Sequence, residues 1–94
     1  MKLRVHYTAQ LRAAVGRIEE ELEAPEGISL AELLKQLAAD RGNSVAMHLL
    51  NANGEIQPCL LMVVDGKAVS AQEAATRALR SGDVVHLMPP IAGG

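Results

Sequence analysis

Residues 29–40 read SLAELLKQLAAD. The side chain of Ser29 can accept from an orphan amide of a helix start, and the Glu32 carboxylate can reach back to it, which is a capping box. Leu30, Leu33, Leu34, Leu37 and Ala38 then recur at i, i+3, i+4, i+7 and i+8 and draw one apolar stripe. Gly42 supplies a stop just past the end. The spacing therefore predicts an amphipathic helix, and a stripe of this width needs a cover. A sheet face is the expected one.

The flanking segments supply strands. Upstream, Leu3, Val5 and Tyr7 alternate with Lys2, Arg4 and His6, the pattern of a half-buried strand. AQLRAAVG, residues 9–16, reads as a connection ending at Gly16. RIEEELEA, residues 17–24, reads as a second strand, antiparallel to the first through a hairpin, although a short helix would tolerate the same residues. Its acidic positions 19 to 23 are expected to be a solvated face.

Downstream, VAMHLL (45–50) suits either a helical turn or a strand, and NANGE (51–55) signals a turn. CLLMVV (59–64) has the two-sided apolar character of a buried strand. Asp65-Gly66 is a two-residue hairpin signal into KAV. Ser70 and Glu73 offer a second capping box over a turn or two of helix, and VVHLM (84–88) is the last strand. The expected order is strand, strand, helix, strand, short strand, strand. That is an α+β fold with a mixed four- to five-stranded sheet and one main amphipathic helix packed across it. The first and last strands are expected side by side in the middle, running parallel.

Composition excludes several functions. Ninety-four residues make a single domain, with a core domain expected over 1–88 and an extended tail over 89–94. Nearly half the chain is hydrophobic, but Tyr7 is the single aromatic residue. Aromatic stacking platforms for nucleic acid are therefore missing. Nine Lys and Arg against eleven Asp and Glu give a formal charge of −2, so no basic excess marks a nucleic-acid footprint. No apolar run suggests a bilayer span or a secretory signal, and the lone Cys59 fits a reducing compartment; a cytoplasmic location is expected.

Catalytic chemistry is sparse. His6, His48 and His86 are far apart in sequence and follow no ligand spacing, so no metal is expected. Cys59 heads a buried strand with no base beside it and reads as a small core hydrophobe. The glycines sit at turn positions and none belongs to a phosphate-binding loop.

The distinctive chemistry is in the last residues, MPPIAGG (88–94). Pro89 and Pro90 cannot extend a ladder and favour an extended exit. Six residues, Pro89 to Gly94, reach roughly 20 Å at ~3.3 Å per residue. Gly93 and Gly94 have no side chains and fit a channel closed to other residues. A carboxylate at Gly94 is ionised at neutral pH and is a poor electrophile until a partner activates it, for example as a mixed anhydride with AMP. The tail thus reads as a substrate presented to other enzymes.

With these residues in view, the chain resembles the ubiquitin-like sulfur carriers of the MoaD and ThiS family. AQLRAAVG resembles that family's AQxREhxG segment, SLAELLKQLAAD occupies the place of its helix, and VVDGKAV resembles its VNG hairpin. SGDVVHLMPPIAGG resembles the DGDEVxxxPPVxGG ending, and the double proline favours the MoaD side. The resemblance implies a β-grasp (ubiquitin-like) fold and a carrier without turnover of its own. It implies no bound cofactor, with ATP used by an activating adenylyltransferase of the MoeB or ThiF type. Gly94 would be adenylated and then converted to a thiocarboxylate, with Gly93 permitting passage into the active site. Met88, Pro89, Pro90, Ile91 and Ala92 would bind the partner. The acceptor would be the large subunit of molybdopterin synthase, the MoaE type, in molybdenum cofactor synthesis.

Some positions depart from that pattern. Leu87 and Met88 stand where aromatic residues are usual, Thr8 follows Tyr7, and Asp65 replaces an asparagine. The LLNANGEIQPCLLMVV stretch resembles relatives that serve cysteine, thiamine or tRNA thiolation equally well. Conjugation to lysine through Gly94, as a protein modifier, and a β-grasp interaction domain with an inert tail remain the alternatives.

Overall fold

A computed structural model describes residues 1–90. The expectations placed on Ile91, Ala92, Gly93 and Gly94 lie outside the described residues. In chain order the elements are β1 (Lys2–Tyr7), α1 (Ala9–Val15), β2 (Glu19–Glu23), α2 (Leu30–Arg41), α3 (Asn43–Leu49), β3 (Leu61–Val64), β4 (Lys67–Val69), α4 (Ala71–Ala74) and β5 (Val84–Met88). The strands form one mixed sheet in the order β2-β1-β5-β3-β4. Strands β1 and β5 are parallel neighbours at its centre, and every other pair is antiparallel.

The helix anticipated at 29–40 is α2, and both halves of its capping box form at 3.1 Å. Ser70 and Glu73 build a second box of the same geometry at the start of α4. Asp65 and Gly66 both have positive φ, 50° and 81°, as the primed two-residue turn of a hairpin requires.

Leu30, Leu33, Leu34 and Leu37 of α2 belong to one buried cluster with Leu3, Val5 and Tyr7 of β1, Met62 and Val64 of β3, and Val85 and Leu87 of β5. Each such side chain contributes roughly 1.5–3 kcal/mol on burial, so an aliphatic core suffices without Phe or Trp. Among the described residues no helix is long and apolar enough to cross a membrane.

Three readings need correction. AQLRAAV is a helix, α1, and it interrupts the expected hairpin between β1 and β2, although the antiparallel pairing itself forms. It buries Leu11 and closes on Gly16 at φ 85°. Its start carries no readable signal: Thr8 makes no side-chain cap, and Ala9 sits at φ 53°, a left-handed conformation that costs roughly 1–2 kcal/mol. Of the two readings open for VAMHLL the helical one forms: it lies mostly within α3, which buries Val45 and Leu49 against the same core.

The second correction concerns β2. Glu20 is buried, so the acidic run is not uniformly solvated. Its carboxylate accepts a 2.6 Å hydrogen bond from the Tyr7 hydroxyl and a short charged one from the Arg41 guanidinium. Burial, and then the bond to Glu20, push the Tyr7 hydroxyl above the ordinary phenol range. The same carboxylate raises Arg41 further.

Third, Cys59 is exposed and contributes nothing to the core. It lies not in β3 but in the turn before it, closed by the Leu60 N–H donating to the Gln57 carbonyl at 3.1 Å with Pro58 and Cys59 at the centre.

Candidate functional site

The site expected from sequence is the exit of the chain at the end of β5. That strand is fixed on both flanks. Its residues pair with β1 from Arg4↔Val84 to Tyr7↔Leu87, and with β3 from Val64↔Val85 to Leu61↔Met88. Its start is pinned as well: the Asp65 amide donates to the Val84 carbonyl at 3.0 Å, and the Asp65 carboxylate accepts from the Val84 amide at 3.1 Å. That amide, with the neighbouring Asp83, holds the Asp65 carboxyl below its usual range. A carboxylate thus stands at the hairpin position where the family resemblance leads to an asparagine.

At the other end Met88 is half-buried, Pro89 buried and Pro90 exposed. Neither proline has an N–H to offer, so the ladder stops there. Pro89 nevertheless packs, so the expected tail begins inside the fold and emerges at Pro90.

Pro89 and Pro90 line an open cleft of about 330 Å³ whose other walls come from Gln10 of α1, Met47 and His48 of α3, and Gln57, Cys59 and Leu60 of the connection to β3. Gln57 holds this wall together: its side-chain amide reaches the carbonyls of Met47 and Leu50, both at 3.2 Å, and its backbone N–H donates to Leu49. Asn51 shapes the preceding turn by accepting from the amides of Asn53 and Glu55. Among the described lining residues only His48 and Cys59 are titratable side chains. The mouth is therefore mostly apolar, with no array of charges for acid–base work.

Of the expected contact residues, Pro89 and Pro90 line this mouth, Met88 precedes it on the outer face of β5 with His86, and Ile91 to Gly94 follow beyond the described residues. Sequence reasoning missed the walls contributed by Gln10, Gln57 and Cys59. Only Pro58, a turn residue beside Cys59, held a clue, and it concerned Cys59 alone. Of the three histidines, His48 stands in the cleft wall, and His6 and His86 meet on the opposite face of β1 and β5 from the core. Among the described residues, no group of three or more His, Cys, Asp or Glu side chains is placed to hold a metal ion.

Comparison with known proteins places this geometry. The chain is 28% identical over 94 residues to small archaeal modifier protein 3 of Haloferax volcanii, an alignment covering 100% of both chains. It is 29% identical over 85 residues to a candidate sulfur carrier protein of Archaeoglobus fulgidus, covering 90% of this chain and 94% of that one. Among solved structures it is similar to a candidate molybdopterin converting factor, subunit 1, from Pyrococcus furiosus. That match has a TM-score of 0.73 and 28% identity, and covers 97% of this chain and 99% of the other. The ThiS family pattern matches residues 5–94. With its ubiquitin-like β-grasp sheet and its central strand running out into a Pro-Pro exit, the chain belongs to the ThiS family.

Proposed function

We propose that this protein is a sulfur carrier whose reactive group is the carboxylate of Gly94. The observation that carries the reading is the delivery of the chain end. The central strand β5, held on both flanks, leads through Pro89 and Pro90 directly to Ile-Ala-Gly-Gly. An activating adenylyltransferase would join the Gly94 carboxylate to AMP from ATP, releasing pyrophosphate. A sulfur donor would then displace AMP and leave a thiocarboxylate. Transfer of that sulfur to an acceptor, with water supplying oxygen, returns the carboxylate. In this scheme the domain has no turnover alone. Gly93 lets the chain pass a narrow channel, and Met88 to Ala92 set reach and partner contact.

The sulfur acceptor we favour is the pyranopterin precursor of the molybdenum cofactor, bound by a molybdopterin synthase large subunit. The double proline and the similarity to the Pyrococcus converting factor support it. A second reading, conjugation to protein lysines through Gly94, is supported by the relation to the Haloferax modifier protein.

Intact-mass spectrometry separates these readings. The full chain, incubated with its activating enzyme, ATP and sulfide, should exchange one oxygen for one sulfur at Gly94. Deleting Gly94 should abolish the exchange and leave the melting temperature unchanged. Lysine-linked adducts recovered from the host, without the exchange, would establish the modifier instead. Absence of both products with every cognate activating enzyme overturns the reading.

A further inference from the structure

We propose that His6 and His86 form a chelating site for a divalent transition-metal ion on the outer face of the sheet. The parallel pairing of β1 and β5 sets His6 directly opposite His86 in register. Their ring centroids lie 4.5 Å apart with the planes inclined at 23°. Neighbouring strands lie roughly 4.8 Å apart, which sets the separation of side chains in register on one face. Rotations about the two side-chain torsions of each histidine therefore suffice to turn one nitrogen of each ring onto a common ion, at bonds of about 2.0–2.1 Å. Both rings are partly exposed, which leaves room for water to complete the coordination.

A second observation concerns His6. Its Nε2 lies 3.0 Å from a carboxylate oxygen of Glu19 on β2. With Glu19 beside Nε2, Nδ1 is the ring nitrogen left to turn toward an ion. Metal-binding histidines commonly have a carboxylate beside the nitrogen that does not ligate. Glu19 thus acts through His6 and is not itself a ligand, so the protein supplies two imidazoles. Arg4 also reaches Glu19, at 3.3 Å, and Glu21, at 4.0 Å, so its charge beside the site is offset. On the far side Val63 pairs with His86 and offers no ligand.

Two imidazoles and water select borderline ions such as zinc, nickel and copper(II), and reject magnesium and calcium, which prefer oxygen. Copper(II) binds such sets most tightly, which makes it the sharpest probe. A bound ion would clamp β1 to the strand that carries the tail.

The test uses the full, untagged chain. Calorimetric titration with copper(II) should give one ion per chain, and electron paramagnetic resonance should show two equivalent imidazole nitrogens. Removing one of the two ligands, as His6→Ala or His86→Ala, should weaken binding by about a hundredfold, Glu19→Gln by about tenfold, and His48→Ala not at all. Magnesium should not compete. Imidazole nitrogen resonances of the unmodified protein should shift on zinc addition for His6 and His86 and not for His48, a readout independent of any variant's folding. Undiminished binding in the His6 and His86 variants, equal loss with His48→Ala, or a zinc shift at His48 alone would overturn the site.

Discussion

The two faces of the β1–β2 pair use the same kinds of residue to opposite ends. Outside, Lys2, Arg4 and His6 stand beside Glu19 and Glu21 in a ladder of polar contacts between 3.0 and 4.0 Å, all at least partly wetted. Inside, Tyr7, Glu20 and Arg41 make one network around a carboxylate whose side chain is only 5% exposed. Water screens the outer pairs, so each is worth little. The inner carboxylate has exchanged its hydration for two donors, so losing either leaves a buried acceptor unpaired. Charge on this strand pair therefore stabilises by satisfaction, not by number.

Removing the inner carboxylate should break that contrast most visibly. Glu20→Ala strips partners from both Tyr7 and Arg41 and should cost about 2–4 kcal/mol in urea unfolding. Tyr7→Phe removes one donor and should cost about 1–2 kcal/mol. It should also change the alkaline limb. The folded-state pKa of Tyr7 lies above the ordinary 10.0, so the native state favours the neutral phenol. Its contribution is complete below pH 10 and is lost as pH rises through the folded value. Unfolding curves recorded from pH 8 upward should show that loss in the parent and a smaller one in Tyr7→Phe.

The caps fall between the two extremes, because Glu32 and Glu73 are exposed yet accept from backbone amides. Ser29→Ala should cost about 1 kcal/mol through the lost helix cap. The bond from the amide of Ser29, or of Ser70, lowers the pKa of each carboxyl. Their stabilisation is therefore present above the ordinary glutamate pKa and disappears as pH falls through the lowered one. Melting temperatures followed downward from pH 6 should converge for the parent and a Glu32→Gln, Glu73→Gln variant. Smallest of all, Arg4→Ala should change stability by no more than about 0.5 kcal/mol, and high salt should erase the difference. A larger effect would show that the outer ladder behaves as a network.

Much of the fold was legible because its signals are local. Ser29 and Glu32 announced α2, Asp65-Gly66 announced the β3–β4 hairpin, and the β-rich ends of the chain announced a parallel central pair. The misses have physical causes too. Helix α1 starts without a side-chain cap and on an alanine with positive φ, so no residue marks it. Glu20 looked solvated because alternation gives a strand two faces without saying which carboxylate will meet a tyrosine and an arginine from other elements. Of the cleft, only Pro89 and Pro90 were anticipated from sequence; the walls facing them come from α1, α3 and the loop before β3.

Periodicity, caps and turn residues needed only neighbours within a few positions, and they determined the helix, the hairpin, the aliphatic core and the Pro-Pro exit. What tertiary structure alone decided was the partnership of distant groups. Ligand spacing argued that His6 and His86 had nothing to do with each other, yet the β1–β5 register stacks them at 4.5 Å. Register is a property of the whole sheet, set by which faces bury together, and no local pattern encodes it.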